Sequence, residues 1–233
     1  MAETRSLEEE QRIASLVDAQ TKALQLFDDI AKGLIRPGVT ERELSKEIYE
    51  LGERKHGIRT HWHKRVVRSG PNTLQPYAEN PPDRTLETDD IVFVDLGPVF
   101  EAWEADFGRT YVIGDDPVKK KLRDDLEPTW RTVKAEFDAN PDMTGGELYA
   151  AAHRAAKAAG WEFGGAIAGH LIGSFPHERI PRDQTALYIT EGNNKKMRSL
   201  GKDGHPRHWI LEIHLVDRER QIGGFFEQLL TVD

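Results

Sequence analysis

Residues 94–110 read VDLGPVFEAWEADFGRT. Asp95 closes an apolar run, and Asp106 stands just ahead of a second one. The segments DDIVFVDLG (89–97) and GRTYVIGDD (108–116) are short, rich in β-branched residues and bounded by turn formers, so each is expected to be a strand. A strand pair returns two residues at this spacing to the same place on a sheet. Two aspartates meeting there repel each other unless a cation or a proton lies between them. Two turn aspartates facing solvent would leave the same trace in sequence. Asp89, Asp90, Asp115 and Asp116 are read in that second way.

Downstream, AGHLIGSFPHERIP (168–181) carries His170 and His177 among small and apolar neighbours. Histidine serves as a metal ligand or as an acid and base near neutrality, although a lone one on an apolar face is as readily a satisfied core residue. Two further strands are expected over HWILEIHLVD (208–217) and QIGGFFEQLLTVD (221–233), joined by the charged turn at 217–220. They hold Glu212 and Glu227 inside apolar runs. A carboxylate in such a place is costly unless it is paired, bound to a metal, or turned outward on an edge strand. His214 follows Glu212 by two residues and so shares its face. Asp95, Asp106, His170, Glu212 and Glu227 together form an oxygen-and-nitrogen ligand set suited to two divalent ions. Two such ions can hold a bridging hydroxide and polarise a carbonyl, which is metal-assisted hydrolysis.

The rest of the chain frames those segments. A 233-residue chain of 26.4 kDa suits one compact domain. With no cysteine it has no disulfide, thiol nucleophile or thiolate zinc site, so any metal must be held by nitrogen and oxygen. The net charge of −8 argues against nucleic acid as the main partner. Apolar runs fall far short of the roughly 20 residues of a membrane helix, and MAETRSLEEEQR lacks the apolar core of a signal peptide. A cytoplasmic location without membrane contact is therefore expected. Residues 7–35 read as one amphipathic helix, with Ile13, Leu16, Val17, Leu24, Phe27, Ala31 and Leu34 on its apolar stripe and Gln20 as the polar break. Thr40 with Glu43, and Thr144 with Glu147, are capping boxes that open two more helices, the second stopping at Gly160. Residues 117–138 read as a surface helix, PYAENPPDR (76–84) as a loop, and the basic stretch 190–208 as an exposed loop or hairpin. Helices, strands, helices and strands in that order predict an α+β sheet covered by helices.

In order and local context, these residues resemble the pita-bread metallopeptidases, the family of methionine aminopeptidase, aminopeptidase P and prolidase. The resemblance runs from about Leu7 to the C-terminus. It is carried by Asp95 in VDLG, Asp106 in ADFGRT, His170 in GHLIG, Glu212 in ILEIH and Glu227 in FFEQL, with the pair His177-Glu178 and the upstream RSGPNT. It implies a pita-bread (creatinase/aminopeptidase) fold, a curved antiparallel sheet covered by helices. The implied roles are Asp95 as chelator of one ion, Asp106 and Glu227 as bridges, and His170 and Glu212 completing the other ion. Glu212 would also shuttle protons, and His177 would donate to the substrate carbonyl or oxyanion. Manganese is the first expectation for the two ions, with cobalt, iron and zinc compatible with the same ligands.

Four departures stand out. Tyr77 aligns where the peptidases carry a histidine, and a phenol titrating near pH 10 is a poor shuttle at neutrality; His61 or His63 is expected to stand in for it. Ile213 follows Glu212 where proline is usual. Leu171 replaces a glycine and is expected to narrow the space beside His170. The basic 190–208 segment is either a solvated loop or a lid for an anionic substrate. The length implies a single catalytic domain over 1–233 with no separate N-terminal domain. The expected function is a dinuclear metal-dependent hydrolase, an aminopeptidase or Xaa-Pro-type peptidase acting on short peptides. The alternatives are an enzyme of this fold repurposed for a small non-peptide substrate, as a lyase or C–N hydrolase, and a non-catalytic binding module. A homodimer is expected by analogy alone.

Overall fold

A computed structural model describes residues 6–176 and 185–232. Its strands are β1 (Val66–Ser69), β2 (Asp90–Leu96), β3 (Val99–Phe100), β4 (Trp103–Glu104), β5 (Phe107–Ile113), β6 (Glu162–Phe163), β7 (Leu171–Ile172), β8 (His208–Asp217) and β9 (Ile222–Leu229). Seven of them form one antiparallel sheet in the order β1-β2-β5-β9-β8-β6, with β7 paired to β8. β3 and β4 make a separate hairpin between the two aspartates. The four predicted long strands are all present.

Alternation along the strands divides the sheet into a helix-covered face and a functional face. Val92, Val94 and Leu96 of β2 pack with Phe107 against α1 (Leu7–Gly33) and α2 (Glu41–His56), through Phe27, Ile30, Leu44 and Ile48. Leu211, Ile213 and Leu215 of β8 and Phe226 of β9 pack against α3 (Pro117–Ala139) and α4 (Gly145–Ala158), through Trp130, Val133, Leu148 and Ala152. Each such Leu, Ile or Phe, fully buried, stabilises the fold by about 1.5–3 kcal/mol. Phe93, Asp95, Glu212, His214 and Glu227 alternate with these residues and so share the other face. No helix among the described residues is long and apolar enough to cross a membrane.

Both predicted capping boxes form, with Thr40 and Thr144 accepting from the backbone amides of Glu43 and Glu147 and the two glutamates bonding back. On α1 most of the expected stripe holds, with Leu16 and Phe27 buried and Ile13, Val17 and Leu34 packed against the core, but two positions differ. Ala19, Ala23, Leu26 and Ile30 are buried, whereas Leu24 is 46% exposed and Ala31 is exposed. Close packing of the helix on the sheet favours small residues at the contact line, so alanines replace leucine there. Gln20 has a structural use: its side-chain oxygen accepts the Leu229 backbone amide at 2.7 Å, tying α1 to the end of β9.

Two other expectations are corrected. Asp90 is buried and forms an ion pair with Arg84, while Asp116 caps α3 by accepting the Val118 and Lys119 amides. Only Asp89 and Asp115 remain exposed turn residues. In the basic segment, Lys196 pairs with Asp142, and Arg198 lies over the Phe137 ring while donating to the Phe137 and Asn140 carbonyls. Those two cations anchor the loop to the α3–α4 end and are not poised over a site.

Candidate metal centre

Register alone builds the site. Asp95 of β2 lies opposite Gly108 of β5, Gly108 opposite Glu227 of β9, and Glu227 opposite Glu212 of β8. One row across four strands therefore presents three carboxylates, and Asp106, two residues before Gly108, joins the same face. Gly108 belongs in that row because a Cβ there would lie 2.6 Å from the Phe225 ring. β5 and β9 share only this one register pair, and the following two residues stitch the strands together instead. The Arg109 guanidinium, sandwiched between the Phe107 and Phe226 rings, donates to the Glu227 carbonyl at 2.9 Å and to Gln228 Oε1 at 2.6 Å. Thr110 Oγ1 donates to the Phe225 carbonyl and accepts its amide, at 2.9 and 2.7 Å.

His170 enters from the segment ahead of β7. Its carbonyl accepts the Ile210 amide at 2.9 Å, which sets it beside Glu212. Gly169 makes this approach feasible: its φ is +133°, and a Cβ would lie 2.0 Å from the Ile210 carbonyl oxygen. The His170 Nδ1–H donates to the Leu171 carbonyl at 2.8 Å, leaving Nε2 2.9 Å from Asp106 Oδ2, 3.7 Å from Glu212 Oε1 and 3.9 Å from Glu227 Oε1. On the other side, His63 Nε2 is 3.1 Å from Asp106 Oδ1 and 3.5 Å from Asp95 Oδ1.

Asp95, Asp106, His170 and Glu227 are all buried. Burial pushes the Asp95 carboxyl up to about 7 against the pull of His63, and Glu212 up to about 8 against the pull of His170. Glu227 is raised well above its ordinary value by burial and by the charges of Asp106, Asp95 and Glu212. Asp106 moves the other way: burial raises it, but an imidazole on each of its oxygens outweighs that and holds it below the usual carboxylate range. Burial lowers both histidines, yet the surrounding carboxylates lift His63 to about 10 and His170 to about 9. Ionised together, the four carboxylates would outnumber the two imidazolium groups, so the cluster favours bound protons or added positive charge. Asp95 Oδ1 and Glu227 Oε2 are buried with no hydrogen-bond donor, as acceptors facing a cation would be. Among the described residues, two triplets have ligand atoms all within 4.8 Å of one another: His63, Asp95 and Asp106, and Asp106, His170 and Glu227. Hard oxygens with imidazole nitrogen fit a divalent metal.

The model of metallopeptidase family M24 matches residues 14–200. The chain belongs to this family. An Xaa-Pro dipeptidase from Lactobacillus delbrueckii subsp. lactis is 32% identical over 147 residues, covering 62% of this chain and 39% of that one. A methionine aminopeptidase from Rickettsia prowazekii superposes with a TM-score of 0.70 at 17% identity, over 100% of this chain and 96% of that one. Prolidase from Thermococcus sibiricus gives a TM-score of 0.75 at 22% identity, over 99% of this chain and 58% of that one. The chain thus spans about two fifths of the length of the dipeptidase and under three fifths of the prolidase. These likenesses establish the pita-bread fold.

Within this M24 chain, the five residues read as ligands from sequence meet at one place. His63 joins them, whereas His61 does not: it sits near Tyr49, and burial together with Arg65 and His63 holds it down to about 4. Tyr77 stands at the edge of the cluster, 52% exposed, its ring centroid 6.0 Å from that of His63 and under the Lys64 ammonium. Its phenol is raised above the ordinary value, by burial first, so it remains a proton donor. His177 lies outside the described residues. Leu171 does not narrow the space beside His170; its side chain packs toward the α3–α4 core, as alternation from His170 requires. His214 turns away from the carboxylates, packs against Phe93 and Phe225, and its Nε2–H donates to the Thr73 carbonyl at 2.8 Å. Trp62 and Gly97, which shape the site, carry no chemical signal in sequence and were not singled out.

Proposed function

We propose that this chain is a dinuclear metal-dependent peptidase that removes an N-terminal residue from a short peptide or splits an Xaa-Pro dipeptide. The observation that carries the reading is the buried row of Asp95, Glu227 and Glu212 with Asp106, unpartnered at Asp95 Oδ1 and Glu227 Oε2. Asp95 and Asp106 would hold one divalent ion, His170 and Glu212 the other, with Asp106 and Glu227 shared. Bound there, the two ions would polarise the scissile carbonyl and make water nucleophilic at neutral pH. Glu212, at the end of the row and beside His170, would take a proton from water and return it to the leaving amine. Tyr77 can donate a hydrogen bond to the substrate from the rim, and Arg68 fixes that rim by donating to the carbonyls of Gln75, Tyr77 and Glu79. The chemistry supports manganese, cobalt, iron or zinc.

Protein stripped with chelator, reloaded with manganese and presented with a panel of di- and tripeptides including proline-containing ones is expected to release free amino acids. No turnover with any metal across that panel overturns the reading. Tyr77 supports one competing reading, an enzyme of the same fold acting on a small non-peptide amide. Tyr77→His separates the two: a gain of peptidase activity from an inactive parent favours the repurposed site, and a peptide-cleaving parent rules it out.

A further inference from the structure

We propose that His63 is a metal ligand, an imidazole donor to the ion held by Asp95 and Asp106, so that each half of the centre has one nitrogen. The inference rests on the metal-binding part of the function proposed above and not on peptide cleavage. Five ligands were expected; the geometry points to a sixth.

The placement of His63 repeats that of His170. Each ring donates Nδ1–H to the carbonyl of the next residue, Lys64 at 2.7 Å and Leu171 at 2.8 Å. That bond fixes the ring orientation and turns each Nε2 inward, where loss of its proton on metal binding would supply the lone pair a ligating histidine needs. The two Nε2 atoms then address opposite oxygens of Asp106, at 3.1 and 2.9 Å. Asp106 is thereby the common member of two triplets, each of two carboxylates and one imidazole.

Independent features hold His63 in that position. Trp62 stands edge-on to both rings, with centroids 4.5 Å from His63 and 5.1 Å from His170, and its Nε1–H donates to the Ala105 carbonyl at 3.0 Å. The Trp62 amide donates to the Gly97 carbonyl at 2.9 Å. Gly97 leaves room for the pair: a Cβ there would lie 2.2 Å from His63 Cδ2, 2.5 Å from His63 Nε2 and 2.5 Å from Trp62 Nε1. The strand end that delivers Asp95 is thus shaped around this imidazole. His63 Nε2 faces Asp95 Oδ1 and Asp106 Oδ1, at 3.5 and 3.1 Å. An added nitrogen ligand also favours later first-row metals over manganese.

Cobalt titration of the chelator-stripped full chain tests this, followed by calorimetry and by the visible Co(II) spectrum. The wild type is expected to show two binding events. His63→Ala is expected to weaken one of them at least tenfold and to change the spectrum of that ion, with the other event intact. His61→Ala, two residues away, is expected to leave both events unchanged. His63→Gln, which preserves bulk and a hydrogen bond, guards against a folding artefact and is expected to weaken the same event. Gly97→Ala, which removes no ligand but puts a Cβ against the His63 ring, is expected to reproduce the loss by displacing that ring. Two undiminished cobalt sites in folded His63→Ala and His63→Gln overturn the proposal, as does a wild type that binds no cobalt. Peptide turnover, measured separately, decides the proposed activity, so the two readings fail independently.

Discussion

Replacing Glu212 by glutamine should make the metal-free protein more stable and the metal-loaded protein less so. Glu212 faces Glu227 directly across the β8–β9 pair, and like charges opposite each other in a sheet are unfavourable. Its carboxyl is pushed up from 4.5 to about 8 by burial. A group raised in the folded state contributes its full stability below the unfolded value and loses it as pH rises through the folded one. Between pH 4.5 and about 8 the folded chain keeps Glu212 protonated while the unfolded chain releases that proton, so stability falls at each step. Three pH units to 7.5, at about 1.4 kcal/mol each, set a ceiling of about 4 kcal/mol. Glu227 opposite it is raised as well, so the two carboxyls share their protons and about 2 kcal/mol is expected for Glu212 alone. For a chain of this size that is about 4–8 °C in Tm. The assay is urea and thermal unfolding in EDTA at pH 5 and 7.5, repeated with manganese. The variant should exceed the wild type in EDTA at pH 7.5, with the gap closing toward pH 5, and gain less from manganese because a ligand is gone. A variant no more stable than the wild type in EDTA at pH 7.5, or equally stabilised by metal, would refute the reasoning.

Three other outcomes follow from the structure. Gly169→Ala meets both a φ of +133° and the Ile210 carbonyl, and is expected to cost about 3 kcal/mol with a loss of metal affinity through His170, read by urea unfolding and calorimetry. Thr40→Ala removes one capping box and should cost about 1 kcal/mol while leaving metal affinity unchanged. His214 is held down to about 4 by burial, so its contribution is present above 6.5 and is lost as pH falls toward 4. His214→Gln should flatten the acid side of the chelated protein's stability curve by up to about 3 kcal/mol across that window, in urea unfolding at pH 7 and 4.5.

The ligands were legible because each breaks a local rule. Glu212 and Glu227 interrupt apolar strands, and the spacing of Asp95 and Asp106 matches a return across a strand pair. Chain order could not choose between His61 and His63. Both lie in THWHKR, an irregular stretch without periodicity, and the choice is made by Gly97 and Trp62 through contacts that a linear reading does not contain. The departure at Leu24 and Ala31 on α1 has a similar origin. Leucine is read as buried by its hydrophobicity, but the contact line admits Ala19 and Ala23 because the helix lies close to the sheet. Asp90 looked like a turn residue beside Asp89, and only its pairing with Arg84, six residues back, explains its burial. Leu171 reads as a neighbour of the site because it follows His170, but adjacent residues on an extended segment point to opposite faces, and Leu171 packs on the α3–α4 side.

The glycines around the site explain why a sheet tolerates so much like charge in one place. Gly97 follows Asp95 by two residues, Gly108 follows Asp106 by two, and Gly169 directly precedes His170. In each case the space a side chain would occupy is taken by something the site needs: the His63 and Trp62 rings, the Phe225 ring, and the Ile210 carbonyl. Phe225 in turn packs with Phe93 and His214 to close the floor of the same face. Each glycine weakens its strand by a fraction of a kcal/mol to about 1 kcal/mol, and each buried carboxylate adds a desolvation cost. In the metal-free chain the two imidazoles offset only part of this, mainly at Asp106, and Asp95 Oδ1 and Glu227 Oε2 have no hydrogen-bond donor. The remainder would come with bound cations, whose positive charge converts the repulsion among Asp95, Asp106, Glu212 and Glu227 into attraction. By this reasoning the folding stability of the chain and the occupancy of its centre are one linked quantity, with Asp106 as the residue through which both imidazoles and both triplets are joined.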